Sequence, residues 1–405
     1  MGKSKRFFSL LGAFVLGFGA LSVVSPVPAQ AQQQQAPAAA PAGNQPANVP
    51  TERQVTPEEA FTLLSKAAGE GQPQAMNSLG TLYEQGLGVA RNYSQALAWY
   101  QKAAAAGLAE GFYQVGLAYE AGKGVAADSA EALKYYQRAA QMKLSEANFK
   151  LVSLSLAGIP AKPDDKKALE YLKNQGLSDA EAYEYLGTVY ENGTGIPVNF
   201  TQAFQWYKKA AEAGQAGAHY RVGVCYEIGL GVPAETKVAL DHFQKATDLK
   251  MPDAAYKLAT IYLEGVIATA DPKKAINYLV QAVNNGHSVA ANQLGVIYLD
   301  GLLNQPKDTE KALNMFLKSA GLGNTEGMKN VAVVYRNGIG RNADPIQALK
   351  WYIIAQRAGY QSSGFQALVD ELKTSLKPEQ IKTAETEAGK WLADLMAQRQ
   401  APAAK

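Results

Sequence analysis

Cysteine and histidine are almost absent from this chain of 405 residues: Cys225 stands alone, and His219, His242 and His287 are its only histidines. One cysteine excludes an intrachain disulfide, a cysteine zinc site and an iron–sulfur cluster, and three scattered histidines make no cage, so neither metal nor cofactor is expected. Excess charge is missing too. The formal net charge is +3, and Lys3, Lys5 and Arg6 account for it, because the first 31 residues hold no acid. The remainder is neutral and lacks the basic footprint of a nucleic-acid binder or a polybasic patch for anionic lipid. Nor is there a P-loop, an H-E-x-x-H pair, a nucleophile elbow or a serine-triad order. The loops Gly86-Leu87-Gly88, Gly122-Lys123-Gly124 and Gly229-Leu230-Gly231 follow no strand pattern and read as interhelix turns rather than phosphate cradles. The sequence makes no positive case for an enzyme.

Residues 1–31 have an export layout: basic Lys3-Ser4-Lys5-Arg6, an apolar stretch from Phe7 to Val24, then Ala29-Gln30-Ala31 as a small-x-small site. Cleavage after Ala31 would deliver the chain to the periplasm or the medium of a Gram-negative bacterium; an uncleaved anchor is the alternative. Residues 32–55 hold Val49 and Val55 as their only large apolar side chains, so they read as a disordered Gln/Pro/Ala-rich linker. Residues 399–405 read as a disordered tail.

One internal period dominates the rest. Units start at Ala75, Gly111, Ala147, Ala182, Ala218, Ala254, Ala290 and Gly327, about 36 residues apart. The fifth residue of each is Leu79, Val115, Leu151, Leu186, Val222, Leu258, Leu294 or Val331. Four later stands a tyrosine in every unit but the third, which has Ser155. An i, i+4, i+8 stripe is one helical face. Three residues on comes a glycine, from Gly86 to Gly338, which ends a helix by taking positive φ without Cβ strain. Asn92, Asp128, Asp164, Asn199, Asp271, Asp308 and Asp344 then read as N-caps of a second helix, with Glu235 the exception. One helical hairpin cannot bury its stripe, whereas stacked hairpins bury a continuous core. The expected fold is therefore all-α, an α-solenoid of about eight helix-turn-helix repeats over residues 75–362. A capping helix over 56–74 opens with the box Thr56-Pro57-Glu58-Glu59, and capping helices over 363–398 close the other end with the stripe Ile381, Ala384, Ala388, Trp391 and Leu395.

The units AMNSLGTLYEQGLGVARNYSQALAWYQKAAAAG and AYEYLGTVYENGTGIPVNFTQAFQWYKKAAEAG resemble the Sel-one-like repeat family, tetratricopeptide relatives with an A-x-x-x-L-G-x-x-Y-x-x-G-x-G-V core. Repeat three departs from it at Val152 and Ser155, and repeats six and seven lose the second loop glycine at Ile267 and Leu303. The resemblance implies a bacterial adaptor that holds proteins together in the envelope, in signalling or during host contact. It also implies that the first helices line the concave side of the superhelix. A binder of cell-wall glycan or exopolysaccharide is the second functional expectation, and a hydrolase of wall-derived substrates the third.

A binding surface is sought where side chains vary while their neighbours recur. The fourth residue of each unit does this: Ser78, Gln114, Lys150, Tyr185, Arg221, Lys257, Gln293 and Asn330. Gln114, Tyr185, Arg221, Lys257, Gln293 and Asn330 are the candidate binding residues, with Arg221 and Lys257 expected to face a carboxylate-bearing ligand. Glu84, Glu120, Glu191 and Glu227 recur beside the tyrosine, at a helix end that disfavours an anion. They are expected to accept backbone N–H groups of the glycine turn. Tyr113, Phe149, Tyr220 and Tyr256 are expected to pack between repeats, His242 to be a packing residue, and Cys225 to be a buried inert thiol.

Overall fold

The computed structural model describes residues 55–159 and 162–400. The export segment, all but the last residue of the linker, and the tail beyond residue 400 lie outside the described residues.

Nineteen helices and no strand make up the described residues. Helix α1 (Pro57–Gly69) precedes eight hairpins, each a first helix followed by a second. These are α2 (Pro73–Gln85) with α3 (Tyr93–Ala105), α4 (Ala109–Ala121) with α5 (Ser129–Gln141), α6 (Ser145–Leu156) with α7 (Asp165–Lys173), and α8 (Asp179–Asn192) with α9 (Phe200–Glu212). There follow α10 (Ala216–Ile228) with α11 (Thr236–Asp248), α12 (Pro252–Glu264) with α13 (Pro272–Asn284), α14 (Ser288–Asp300) with α15 (Thr309–Gly321), and α16 (Thr325–Asn337) with α17 (Pro345–Arg357). The short α18 (Phe365–Ser375) and the long α19 (Pro378–Gln400) end the array. Partners within a hairpin pack together, and each second helix packs on the next first helix. That is an α-solenoid.

Local chemistry sets the helix ends. Asn92, Asp128, Asp164, Asn199, Asp271, Asp308 and Asp344 each accept a backbone N–H from the first turn of their second helix, and Glu235 does not. At α1, Thr56 and Glu59 complete a reciprocal capping box. In repeat seven, which lacks the second loop glycine, Leu303 and Asn304 carry positive φ in its place.

The core is the stacked interior of these hairpins. The fifth residue of every repeat is at most 2% exposed, and the alanines Ala132, Ala168, Ala239, Ala275, Ala312 and Ala348 are fully buried. Burying one such leucine or valine stabilises the fold by about 1.5–3 kcal/mol. Beyond repeat eight, Ala384 and Ala388 of α19 are sealed against α17, and Trp391 meets Trp351 edge to face at 5.0 Å. At the other end α1 lies on α2, where Phe61 meets Tyr83 edge to face.

Repeat three shows how its departures are accommodated. In repeats one, two, four, five and seven, the sixth residue is a glycine whose absent Cβ leaves room for an aromatic ring from the second helix. A Cβ at Gly80, Gly187 or Gly223 would lie 2.6, 2.5 or 2.7 Å from Tyr100, Tyr207 or Phe243. Repeat three has Val152 at that position and Leu172 in place of the ring, and both are fully buried. The larger first-helix side chain is offset by a smaller partner.

Candidate functional site

In repeats two, four and five the first helix places its tenth residue, near the C-terminal end, against the fourth residue of the next repeat. In repeats one, two, four and five the tenth residue is Glu84, Glu120, Glu191 or Glu227. Their partners are side chains, which corrects the expectation of backbone N–H groups. Tyr100 of α3 donates its hydroxyl to Glu84 Oε2 at 2.8 Å, Tyr136 of α5 donates to Glu120, and Tyr207 of α9 donates to Glu191 Oε2 at 2.5 Å. A cation completes each site. Lys150 Nζ lies 2.9 Å from Glu120 Oε2, Arg221 3.5 Å from Glu191, and Lys257 2.8 Å from Glu227. The carboxylates thus oppose both the unfavourable helix end and their own desolvation with charge-assisted hydrogen bonds.

The fourth-position residues are half-buried, and Lys150, Tyr185, Arg221, Lys257 and Asn330 each meet a side chain of the repeat before their own. Arg221 and Lys257 do face carboxylates, and these are the chain's own. Tyr185 stacks on Phe149 of the previous repeat at 5.3 Å, and Asn330 donates to Asn292 Oδ1 at 2.8 Å. Gln114 and Gln293 differ from these paired members. Gln114 has no hydrogen-bond partner among the described residues and lines a cleft of about 310 Å3 with Glu84, Lys123 and Lys150. Gln293 Oε1 is buried and likewise unpartnered.

Of the third-position aromatics only Phe149 has its ring partner in another repeat, on Tyr185. The other three meet rings of their own repeat, which corrects the expectation of packing between repeats, because the third residue faces the second helix of its own hairpin. Tyr113 lies against Tyr136, Tyr220 against Phe243, and Tyr256 stacks on His287 at 4.3 Å. Cys225 is buried, and burial pushes its thiol up to about 12, which leaves it protonated and inert at neutral pH. His219 and His242 form a pair that spacing alone did not reveal, with Nδ1 atoms 3.1 Å apart between α10 and α11. Burial holds His242 down at about 4, and the neighbouring His219 adds to the effect. His287 caps α14, its Nδ1 accepting from the Ala290 N–H. Among the described residues no three His, Cys, Asp or Glu side chains converge on a metal position, and no helix is long and apolar enough to cross a membrane.

The repeat boundaries agree with a known family. The Sel1 repeat model matches residues 73–108, 110–144, 145–174, 180–215, 216–251, 252–287, 288–324 and 325–360. Solved structures resemble the chain at low identity. A Sel1 repeat protein from Oxalobacter formigenes is 24% identical over 82% of this chain and 98% of its own, with a TM-score of 0.47. A protective antigen with an SLR fold from uropathogenic Escherichia coli is 23% identical over 86% of this chain and 83% of its own, with a TM-score of 0.36. An immunity protein from Pseudomonas aeruginosa is 21% identical over 54% of this chain and 84% of its own, with a TM-score of 0.32. No curated protein sequence matches it. With eight matched repeats, spaced as the helical hairpins are, the chain belongs to the Sel1 repeat family.

Proposed function

We propose that this chain is a non-enzymatic scaffold that binds a protein or peptide partner along the face of its first helices and acts in the bacterial envelope after export. The observation that carries the reading is the fourth-position row. A nearly constant helical frame presents a polar group that changes from one repeat to the next, and the amides of Gln114 and Gln293 make no hydrogen bond among the described residues. The buried Oε1 of Gln293 favours a ligand that supplies a donor, since an unmade buried hydrogen bond costs about 1–3 kcal/mol, and the amide of Gln114 stands open to the cleft. The neutral composition matches a partner recognised by groups in register rather than by bulk charge. Export rests on the basic, apolar, Ala-x-Ala order of residues 1–31.

Site-specific photo-crosslinking in envelope preparations tests the surface. A crosslinker at position 114 or 293 is expected to trap a discrete partner, and one at the exposed second-helix residue Lys134 is not. Equal yield of the same adduct from Lys134 would move the site off the first helices. Mass spectrometry of the mature protein tests export, with a terminus at Gln32 expected; an intact Met1 terminus in the membrane fraction contradicts cleavage.

A further inference from the structure

In three repeats the carboxylate at the tenth position is met by a cation thirty residues on: Lys150 for Glu120, Arg221 for Glu191 and Lys257 for Glu227. The fourth carboxylate, Glu84, breaks this rule. Thirty residues after it stands Gln114, which is shorter, uncharged and without a hydrogen bond among the described residues. The space that a long cationic side chain would fill there is open, as the cleft of about 310 Å3 already described. Its walls include Leu97, Leu117, Tyr93 and Tyr100, and Glu84 lines it. Apolar walls with a carboxylate among them suit an aliphatic stem that ends in a cation.

Glu84 is an acceptor in this state. Burial alone would raise its pKa, but hydrogen bonds from Lys123 and Tyr100 outweigh burial and hold it below the usual carboxylate range. Its present cation, Lys123, reaches in from the loop after α4 at 2.6 Å with its side chain 44% exposed. Besides this ion pair its Nζ lies 5.6 Å from the centre of the Tyr93 ring, and such contacts of an exposed lysine are weak enough for a ligand to displace. The other lysine of the cleft, Lys150, does not compete for Glu84, because both oxygens of Glu120 hold it, at 2.9 and 3.1 Å.

We propose that this cleft between repeats one and two is a receptor for a basic side chain of the partner, an arginine or lysine that takes the seat left open by Gln114 and pairs with Glu84. The inference rests on the scaffold reading and names the chemistry of one contact within it. The partner's cation supplies in trans what Lys150, Arg221 and Lys257 supply in cis. Lys123 is the internal competitor that a ligand displaces.

The test uses the full chain and a blocked tripeptide, acetyl-Gly-Arg-Gly-amide, against its citrulline counterpart, which keeps the shape and removes the charge. Calorimetry or chemical-shift titration at low salt is expected to show saturable binding of the arginine peptide and at least tenfold weaker binding of the citrulline one. Glu84→Gln is expected to lose at least tenfold in affinity, and Lys123→Gln to gain severalfold. Gln114→Lys installs the cation that the other repeats carry, so it is expected to abolish binding while the melting temperature rises, which shows that the loss is not unfolding. Absence of binding to the wild type, equal binding of citrulline, or unchanged binding to Gln114→Lys would each overturn the proposal. The photo-crosslinking result at positions 114 and 293 does not depend on the tripeptide, so failure here leaves the scaffold reading standing and failure there does not alter this one's readout.

Discussion

Lys143 and Lys250 adopt φ of 67° at the ends of second helices where most other repeats have glycine, such as Gly107 and Gly214. Left-handed backbone costs a side-chain-bearing residue about 1–2 kcal/mol, part of which is recovered through the less flexible unfolded chain. Lys143→Gly and Lys250→Gly are therefore each expected to raise stability by about 0.5–1 kcal/mol in urea unfolding, and a loss from either would show that the lysine side chain contributes contacts of its own. The carboxylates give the opposite case. Tyr207→Phe leaves Glu191 with Arg221 at 3.5 Å and without its hydroxyl donor, an expected loss of about 1–2 kcal/mol. The signal for these sites was present in the sequence. Glu120, Glu191 and Glu227 each precede a cation by thirty residues, whereas Leu156, Leu263 and Leu299 at the same tenth position are followed at the fourth position of the next repeat by Tyr185, Gln293 and Asn330. Reading one column at a time hides the relation, because the partners belong to different repeats and only stacking brings them together.

At the scale of the helical pair, most of the architecture was legible, since helix ends are encoded locally. The Asp and Asn N-caps and the first-helix glycines marked the hairpins, and the fifth-residue stripe marked their buried side. Packing across the pair was not legible, because it is a relation between side chains on two helices. Gly187 and Tyr207 show it: a methyl at Gly187 would lie 2.5 Å from the ring. Gly187→Ala is expected to cost about 1–3 kcal/mol, and adding Tyr207→Leu, the arrangement of Val152 and Leu172, is expected to recover part of it as a positive coupling in a double-mutant cycle. The His219–His242 pair is a second relation of this kind, and it makes repeat five sensitive to acid. Burial and the facing His219 depress His242 from 6.5 to about 4, with Lys245 and Lys208 adding to the depression and Asp241 opposing it. The unfolded chain then binds more protons than the folded chain between these values, so this contribution is complete above about pH 6.5 and is lost as pH falls toward 4. His242→Tyr, the residue at the equivalent place in Tyr135 and Tyr278, is expected to flatten the stability curve across that window. An unchanged difference between wild type and variant from pH 7 to pH 4 would refute it.

On the scale of the whole array, stability is a sum of repeat terms and nearest-neighbour interfaces, so the position of a deletion matters as much as its length. Removing repeat five in register, residues 218–253, brings α12 against α9. Lys257 then stands thirty residues after Glu191 and takes the place of Arg221, so the carboxylate keeps both its cation and the hydroxyl of Tyr207. Removing repeat four, residues 182–217, has a different consequence. Arg221 is brought opposite Leu156, the apolar tenth residue of repeat three, and its own carboxylate, Glu191, is deleted. A half-buried guanidinium facing a leucine loses its charge-assisted partner and keeps its desolvation cost, a difference of about 1–3 kcal/mol between deletions of equal size. Both shortened chains are expected to fold as helical proteins, with the repeat-five deletion unfolding at the higher urea concentration. If Arg221→Met is introduced into the repeat-four deletion, the gap is expected to narrow, because the apolar interface of repeats three and four is restored in kind. Equal midpoints for the two deletions, with no effect of Arg221→Met, would show that the carboxylate–cation row does not set the order in which these repeats stack.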